Sequence, residues 1–402
     1  MPQHVVSIHR AKDKEAITPL IDLCKKGKLF DIQAWITDGK PVNAPPFPKK
    51  GQRRKTPLEY AIKIGFHSVV QVLLEAGAVQ EPQGGDAPIY RAIESRRFDI
   101  VQLLVDNGFD PQTIDLSRVF ESWDPGIMKY FIERGADLVT NQPFAIALCQ
   151  RIRTALNIYK QCRQKVPELQ VQADIALRRH CYDGNMKWAS LMLWAGADPF
   201  SLGGIEANEK IDDDDEGMSA LSWAAWNFQY EIFSIRQIRD KLPGPNGSEL
   251  LTYLTHGKGI EILEQLLKQG VNPNDQDNGG STSITRLLDR MGEKRSPYYA
   301  WEAYSGKYLA DTEETRSQIK GIHLLAKHGA RWIPSDKKEI NKARRDLLNL
   351  KPDYAMEFIW IMQKYRACDM ESIRELLRTP SIKSHVAEHR ERLAQILDNW
   401  VA

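Results

Sequence analysis

An all-α solenoid of stacked helix–turn–helix hairpins is the fold that this 402-residue sequence predicts. Three observations predict it. A Thr-Pro-Leu start followed by two glycines recurs at fixed offsets. A pair of apolar residues recurs four and three positions before the second glycine. The chain is also longer than one hydrophobic core sustains, a limit that a repeat array escapes by growing in one dimension.

The pattern is plainest in residues 55–78, KTPLEYAIKIGFHSVVQVLLEAGA. Pro57 suits a first helical position, where its missing N–H costs nothing, and the Thr56 hydroxyl can cap that turn. Leu58, Ala61 and Ile62 then share one helical face, and Gly65 permits the left-handed backbone that ends a helix. Val69, Val70, Leu73 and Leu74 form a second apolar stripe, closed by Gly77. One such hairpin cannot bury both faces alone, so it must recur. Thr18-Pro19-Leu20, Gly27 and Gly39 repeat the offsets of Thr56-Pro57-Leu58, Gly65 and Gly77: 21 residues from Thr to the last Gly and 12 from Gly to Gly. Ala87-Pro88-Ile89 lies 21 residues before Gly108, and Gly184 lies 12 before Gly196. Aligned on the closing glycine, the apolar pairs are Trp35/Ile36, Leu73/Leu74, Leu104/Val105, Phe131/Ile132, Met192/Leu193 and Leu266/Leu267. Helices sharing this stripe stack on their neighbours and build one continuous core. Trp35 and Trp188 read as core residues on it.

The Thr-Pro-Leu start, the inter-helix glycine and endings such as LLEAGA (73–78), LLVDNGFDP (103–111), FIERGAD (131–137), LMLWAGADP (191–199) and LLKQGVNPN (266–274) resemble ankyrin repeats. The resemblance covers roughly residues 16–335 and implies about nine to ten units. It departs from the family where a histidine follows Thr-Pro-Leu; Ile21, Glu59 and Tyr90 stand there instead. Residues 143–166 and 219–241 carry the first-helix pattern without a closing glycine, and read as repeats or helical spacers. A further unit starts near Thr282 and closes at Gly329, which leaves an insertion around 292–313. The array is therefore expected over 1–335, with an enlarged basic finger at 41–55 and an acidic finger at 202–217. Residues 336–402 read as a degenerate repeat with capping helices, the last at 382–400. The rival reading of that segment is a separate effector domain.

Chemistry is sparse. The chain lacks a phosphate-loop pattern, H-E-x-x-H, G-x-S-x-G and paired C-x-x-C motifs. His180 and Cys181 are adjacent and point about 100° apart on a helix, so they cannot pair with each other. His180 aligns with the core residue Ala61. KIDDDDEG (210–217) lacks the spaced pattern of a calcium loop and reads as a solvated acidic run. No cofactor and no metal are expected. The five cysteines are scattered and read as reduced thiols of a cytoplasmic protein. No apolar run is long enough to span a bilayer.

The expected surface is for protein binding. In ankyrin repeats the two positions before the inter-helix glycine face the concave side. The resemblance places there Lys25 and Lys26, Lys63, Glu94, Glu121, Tyr182 and Asp183, Trp226 and Asn227, and His256. The basic finger adds Lys49, Lys50, Arg53, Arg54 and Lys55, and the acidic finger Asp212, Asp213, Asp214 and Asp215. Trp301 stands among five aromatics of the insertion. Net charge is +2 overall but +7 over residues 1–55, −8 over 56–330 and +3 over 331–402. A partner with a complementary charge pattern fits this polarity. The leading expectation is a non-catalytic, monomeric adaptor acting as an inhibitor, immunity or defence factor, or effector, of bacterial or phage-related style. The alternatives are a nucleic-acid binder using the basic finger, and an enzyme with its site in the insertion or C-terminal region.

Overall fold

The computed structural model describes residues 9–46, 56–81, 87–209, 217–245, 247–254, 258–276, 281–293, 313–332, 350, 352–369 and 371. Lys49, Lys50, Arg53, Arg54, Lys55, Asp212, Asp213, Asp214, Asp215, His256 and Trp301 lie outside them, as do most of the insertion and the helix expected at 382–400. The described secondary structure is helical, with an isolated parallel bridge between Arg10 and Asn43. The chain divides into two bodies, Met1–Ala176 with Glu206–Asn208, and Leu177–Ile205 with Glu209–Ala402.

In the first body, hairpins follow one another as α1 (Lys14–Lys26) and α2 (Leu29–Thr37), α3 (Pro57–Ile64) and α4 (His67–Glu75), α5 (Pro88–Glu94) and α6 (Phe98–Asp106), α7 (Leu116–Glu121) and α8 (Pro125–Glu133), α9 (Pro143–Cys149) and α10 (Arg153–Cys162). The first helices stack in chain order, and so do the second helices, which makes two layers with the core between them. Thr56 caps α3 by accepting from the Glu59 N–H at 3.1 Å, and Pro57 sits in its first turn. Leu58, Ala61, Ile62, Val69, Val70, Leu73 and Leu74 are all buried. Each of the larger ones contributes about 1.5–3 kcal/mol by leaving water.

The hairpins are clamped at their turns. Gly27 and Gly65 adopt φ of 65° and 81°. A Cβ at Gly27 would collide with the Phe66 ring of the next hairpin, and one at Gly65 with the Arg97 guanidinium, which donates to the Gly65 carbonyl. Glycine is thus required twice over, by backbone and by close approach. At the equivalent turns Arg96, Trp123 and Arg151 take the left-handed conformation without being glycine.

Two expectations change. The Thr18-Pro19-Leu20 start is not a helix start: α1 begins at Lys14, capped by Asp13, which accepts from the Ala16 N–H at 2.8 Å. Pro19 lies inside the helix and Thr18 donates back to the Lys14 carbonyl. Trp35 is half-buried: its indole N–H donates to the Pro41 carbonyl at 3.0 Å, and Lys40 covers its ring. α2 packs on α4, with no earlier second helix among the described residues to close its other side. Residues 143–166, in contrast, hold a complete two-helix hairpin, α9 and α10.

The second body contains α12 (Met186–Trp194), α13 (Ala220–Trp226), α14 (Arg236–Arg239), α15 (Gly247–Leu250), α16 (Gly259–Lys268), α17 (Ser283–Glu293), α18 (Glu313–Lys327) and α19 (Pro352–Lys364). After α13 the expected second helix is broken into a 3-10 segment, Tyr230–Ser234, and the single turn of α14, because Ile235 between them is extended (ψ 124°). α16 and α17 both pack on α18, so α17 and α18 flank the insertion as the two helices of one unit. An asparagine clip supports this assignment. Asn274 donates to the Gly329 carbonyl at 2.9 Å and accepts from the Arg331 N–H at 2.7 Å. In the first body Asn43 does the same to Gly77 and Val79, at 2.9 and 2.8 Å. Each asparagine stands four residues after a closing glycine, and each grips the closing turn of the next repeat.

Candidate protein-binding surface

The carboxyl ends of the first helices carry the expected surface residues because the apolar face of each helix ends one turn earlier. In the first body Lys25, Lys26, Lys63, Glu94 and Glu121 are all exposed there. Lys25 pairs with Asp22 at 2.7 Å and lies over the Tyr60 ring of the next hairpin at 5.1 Å. Its hydrogen bond holds the Asp22 carboxyl below the usual range and pushes the Lys25 ammonium up. Glu94 is held between Arg91, at 3.4 Å, and Arg118, at 3.2 Å. Arg118 stacks on the Tyr90 ring at 3.8 Å. Tyr90, Glu94, Arg96, Arg118 and Glu121 line a cleft of about 210 Å³. The charge row is therefore partly internally paired, and Glu94 acts first within the fold.

In the second body the same register builds an aromatic cluster. Trp223 meets Tyr182 and Trp226 edge-on, at 5.8 and 5.7 Å, while Tyr182 and Trp226 lie near parallel at 6.3 Å. The Trp223 indole donates to the Gly203 carbonyl at 3.0 Å, and Asn227 donates to the Tyr182 carbonyl at 2.8 Å. These bonds fix the cluster while leaving Trp226 47% exposed and its neighbour Phe228 56% exposed. Asp183 pairs with Arg179 at 3.0 Å. Asn227 is thus a support for the cluster, and Trp226 is its exposed face.

The position that holds histidine in the family is used after all. The Tyr90 hydroxyl accepts from the Asp115 N–H at 2.9 Å, joining one hairpin to the next. In α11 (Gln170–Tyr182) the equivalent residue is Arg178, which is buried. Its Nε donates to the Gly204 carbonyl at 2.7 Å, and its Nη1 donates to the Ser201 carbonyl and hydroxyl at 3.3 and 2.9 Å. The root of the acidic connection is pinned there. Arg178 was not legible as an anchor, because its partners lie 23 and 26 residues away. Arg96, Trp123 and Phe228 were also missed; the signal was a large residue where the turn needs a left-handed backbone.

His180 is buried against Trp188, with ring centroids 5.5 Å apart. The Cys181 thiol is fully buried, which pushes its pKa up and keeps it protonated. Among the described residues no group of three or more His, Cys, Asp or Glu side chains is placed to hold a metal. None of the described helices is long and apolar enough to cross a membrane.

Residues 10–115 match the family model for ankyrin repeats (3 copies). That segment is similar to ankyrin repeats. Among solved structures the chain is similar to the human ASB11 ankyrin repeat domain, at 19% identity over 51% of this chain and 91% of that one, with a TM-score of 0.37. No curated protein matches it. Ankyrin repeats are in general protein–protein interaction modules.

Proposed function

We propose that the protein is a non-catalytic scaffold that captures a protein partner on the first-helix ends of its repeats. The observation that carries this reading is the Tyr182–Trp223–Trp226 cluster. A tryptophan left half exposed on a hydrogen-bonded support is the type of residue that dominates binding energy at interfaces. Tyr and Trp also lose little conformational entropy when a partner covers them. In the first body the lysines Lys25, Lys26 and Lys63 offer an independent basic row that steers an acidic partner surface. The acidic run at 210–217 supplies the opposite sign.

The test is affinity capture from the native host, followed by binding of each purified candidate to wild type and to Trp226→Ala. The expected result is a saturable complex that Trp226→Ala weakens by about 2 kcal/mol or more with an unchanged unfolding midpoint. A partner bound equally by both proteins would remove the aromatic cluster from the site. Nucleic acid retained with a steep log–log salt dependence would replace the protein-binding reading.

A further inference from the structure

The turns at Arg96, Trp123 and Arg151 lie just past the charge row, and Arg96 lines the same cleft as Glu94 and Glu121. Their φ values are 53°, 58° and 66°, in the left-handed region that disfavours every residue with a side chain. The equivalent turns earlier in the same body use Gly27 and Gly65. Packing of the fold does not call for these three side chains. Arg96 and Arg151 are exposed and Trp123 is 49% exposed. Among the described residues none of the three makes a side-chain hydrogen bond, ion pair or ring contact. The turns follow α5, α7 and α9, which stack as successive neighbours, so the side chains recur once per repeat along one edge of the first body.

We propose that these three turns form a docking ridge for an extended acidic peptide that carries an apolar side chain between two carboxylates. Packed helices lie about 8–10 Å apart. A chain in the extended polyproline II conformation covers that distance in three residues at about 3.1 Å each, and it returns every third side chain to the same face. The matching pattern is therefore acid-x-x-apolar-x-x-acid, read by Arg–Trp–Arg. Each guanidinium fork takes a carboxylate in two parallel hydrogen bonds, and the indole between them takes the apolar group. A second exposed arginine, Arg153, reinforces one end. The spacing favours a peptide over nucleic acid. Two arginines standing two repeats apart suit sparse carboxylates, whereas a phosphate backbone carries charge far more densely. The ridge rests on the scaffold reading only in taking the partner to be a protein.

The experiment uses the purified full chain and a fluorescein-labelled peptide, E-G-S-F-G-S-E, followed by anisotropy, with S-G-S-F-G-S-S and a labelled oligo-dT as controls. The variants are Arg96→Gly, Trp123→Gly and Arg151→Gly. Glycine relieves the left-handed strain, so Arg96→Gly and Arg151→Gly are expected to unfold no earlier than wild type, while Trp123→Gly also loses its half-buried ring and is compared at a temperature where its circular dichroism matches wild type. The expected result is saturable, salt-sensitive binding of the acidic peptide, weakened about tenfold by each variant and absent for the serine control. Equal binding by the glycine variants, no saturable binding by wild type, or preference for oligo-dT would overturn the ridge. A wild type that captures a host protein yet ignores the peptide overturns the ridge alone and leaves the scaffold reading standing.

Discussion

Replacing Arg178 by Met keeps the length and apolar volume of the side chain and removes its donors. Three hydrogen bonds from a charged group are lost, at 2.7, 2.9 and 3.3 Å. Charge-assisted bonds contribute about 1.5–3 kcal/mol each. The two bonds to Ser201 are only half-buried, so water replaces part of them, while the buried Gly204 carbonyl is left without its Arg178 donor. About 3–5 kcal/mol is the expected cost, the sum of one buried and two partly solvated charge-assisted bonds. The damage should be local to the root of the 197–218 connection. Met218 N–H donates to the Gly203 carbonyl at 3.2 Å, and its amide exchange reports opening there. Native-state hydrogen exchange and urea unfolding on Arg178→Met provide the assay. Arg178→Lys, which keeps the charge but not the fork, should recover less than half of the loss. Unfolding within about 1 kcal/mol of wild type, with an unchanged Met218 exchange rate, would refute the anchoring argument.

Tyr90→Phe leaves the Asp115 N–H without its acceptor and keeps the ring beneath Arg118; a loss of about 1–2 kcal/mol in urea unfolding is expected. Cys24 and Cys181 are fully buried, and burial pushes the Cys24 thiol up to about 12. Alkylation of the native protein read by mass spectrometry should spare both, and denaturant should expose them. His323 is held below its ordinary value of 6.5, first by burial and then by Lys364. The folded state then binds fewer protons than the unfolded one, so this contribution is complete above about pH 6.5 and is lost as pH falls through the folded pKa. Unfolding midpoints measured downward from neutral pH should decline less steeply in His323→Gln than in wild type.

The repeat was legible because its punctuation is local. Pro57 in a first turn, the Thr56 cap and the glycines at Gly27, Gly65 and Gly77 each act within a few residues of themselves, and each does what its chemistry requires. The same logic misled at Thr18-Pro19-Leu20, where Asp13 caps the helix one turn earlier. Trp35 fitted the stripe, but its indole N–H turns to the Pro41 carbonyl and Lys40 covers its ring, which periodicity does not register. Surface positions such as Lys26, Lys63 and Trp226 could be placed by register alone, since exposure there follows from the end of an apolar face. Their partners could not. The stacking of Trp226 on Tyr182, the Asn227 bond to the Tyr182 carbonyl, and the pairing of Glu94 with Arg118 join separate hairpins.

One register position shows how the array adapts. Six residues before the left-handed turn stand Tyr90 and Arg178, and both reach forward to the connection that follows their hairpin. After Tyr90 that connection runs over residues 109–114; after Arg178 it runs over 197–218. By the logarithmic scaling of loop closure, the longer one costs about 1 kcal/mol more to hold. One hydroxyl acceptor serves the short connection, and three donors from a charged fork serve the long one. The difference in anchor strength matches the sign of the difference in loop cost and exceeds its size. Trimming residues 210–216 should therefore lower the cost of Arg178→Met, and a double-mutant cycle measures by how much. A coupling energy indistinguishable from zero would mean that Arg178 serves the packing of its own helix and not the loop.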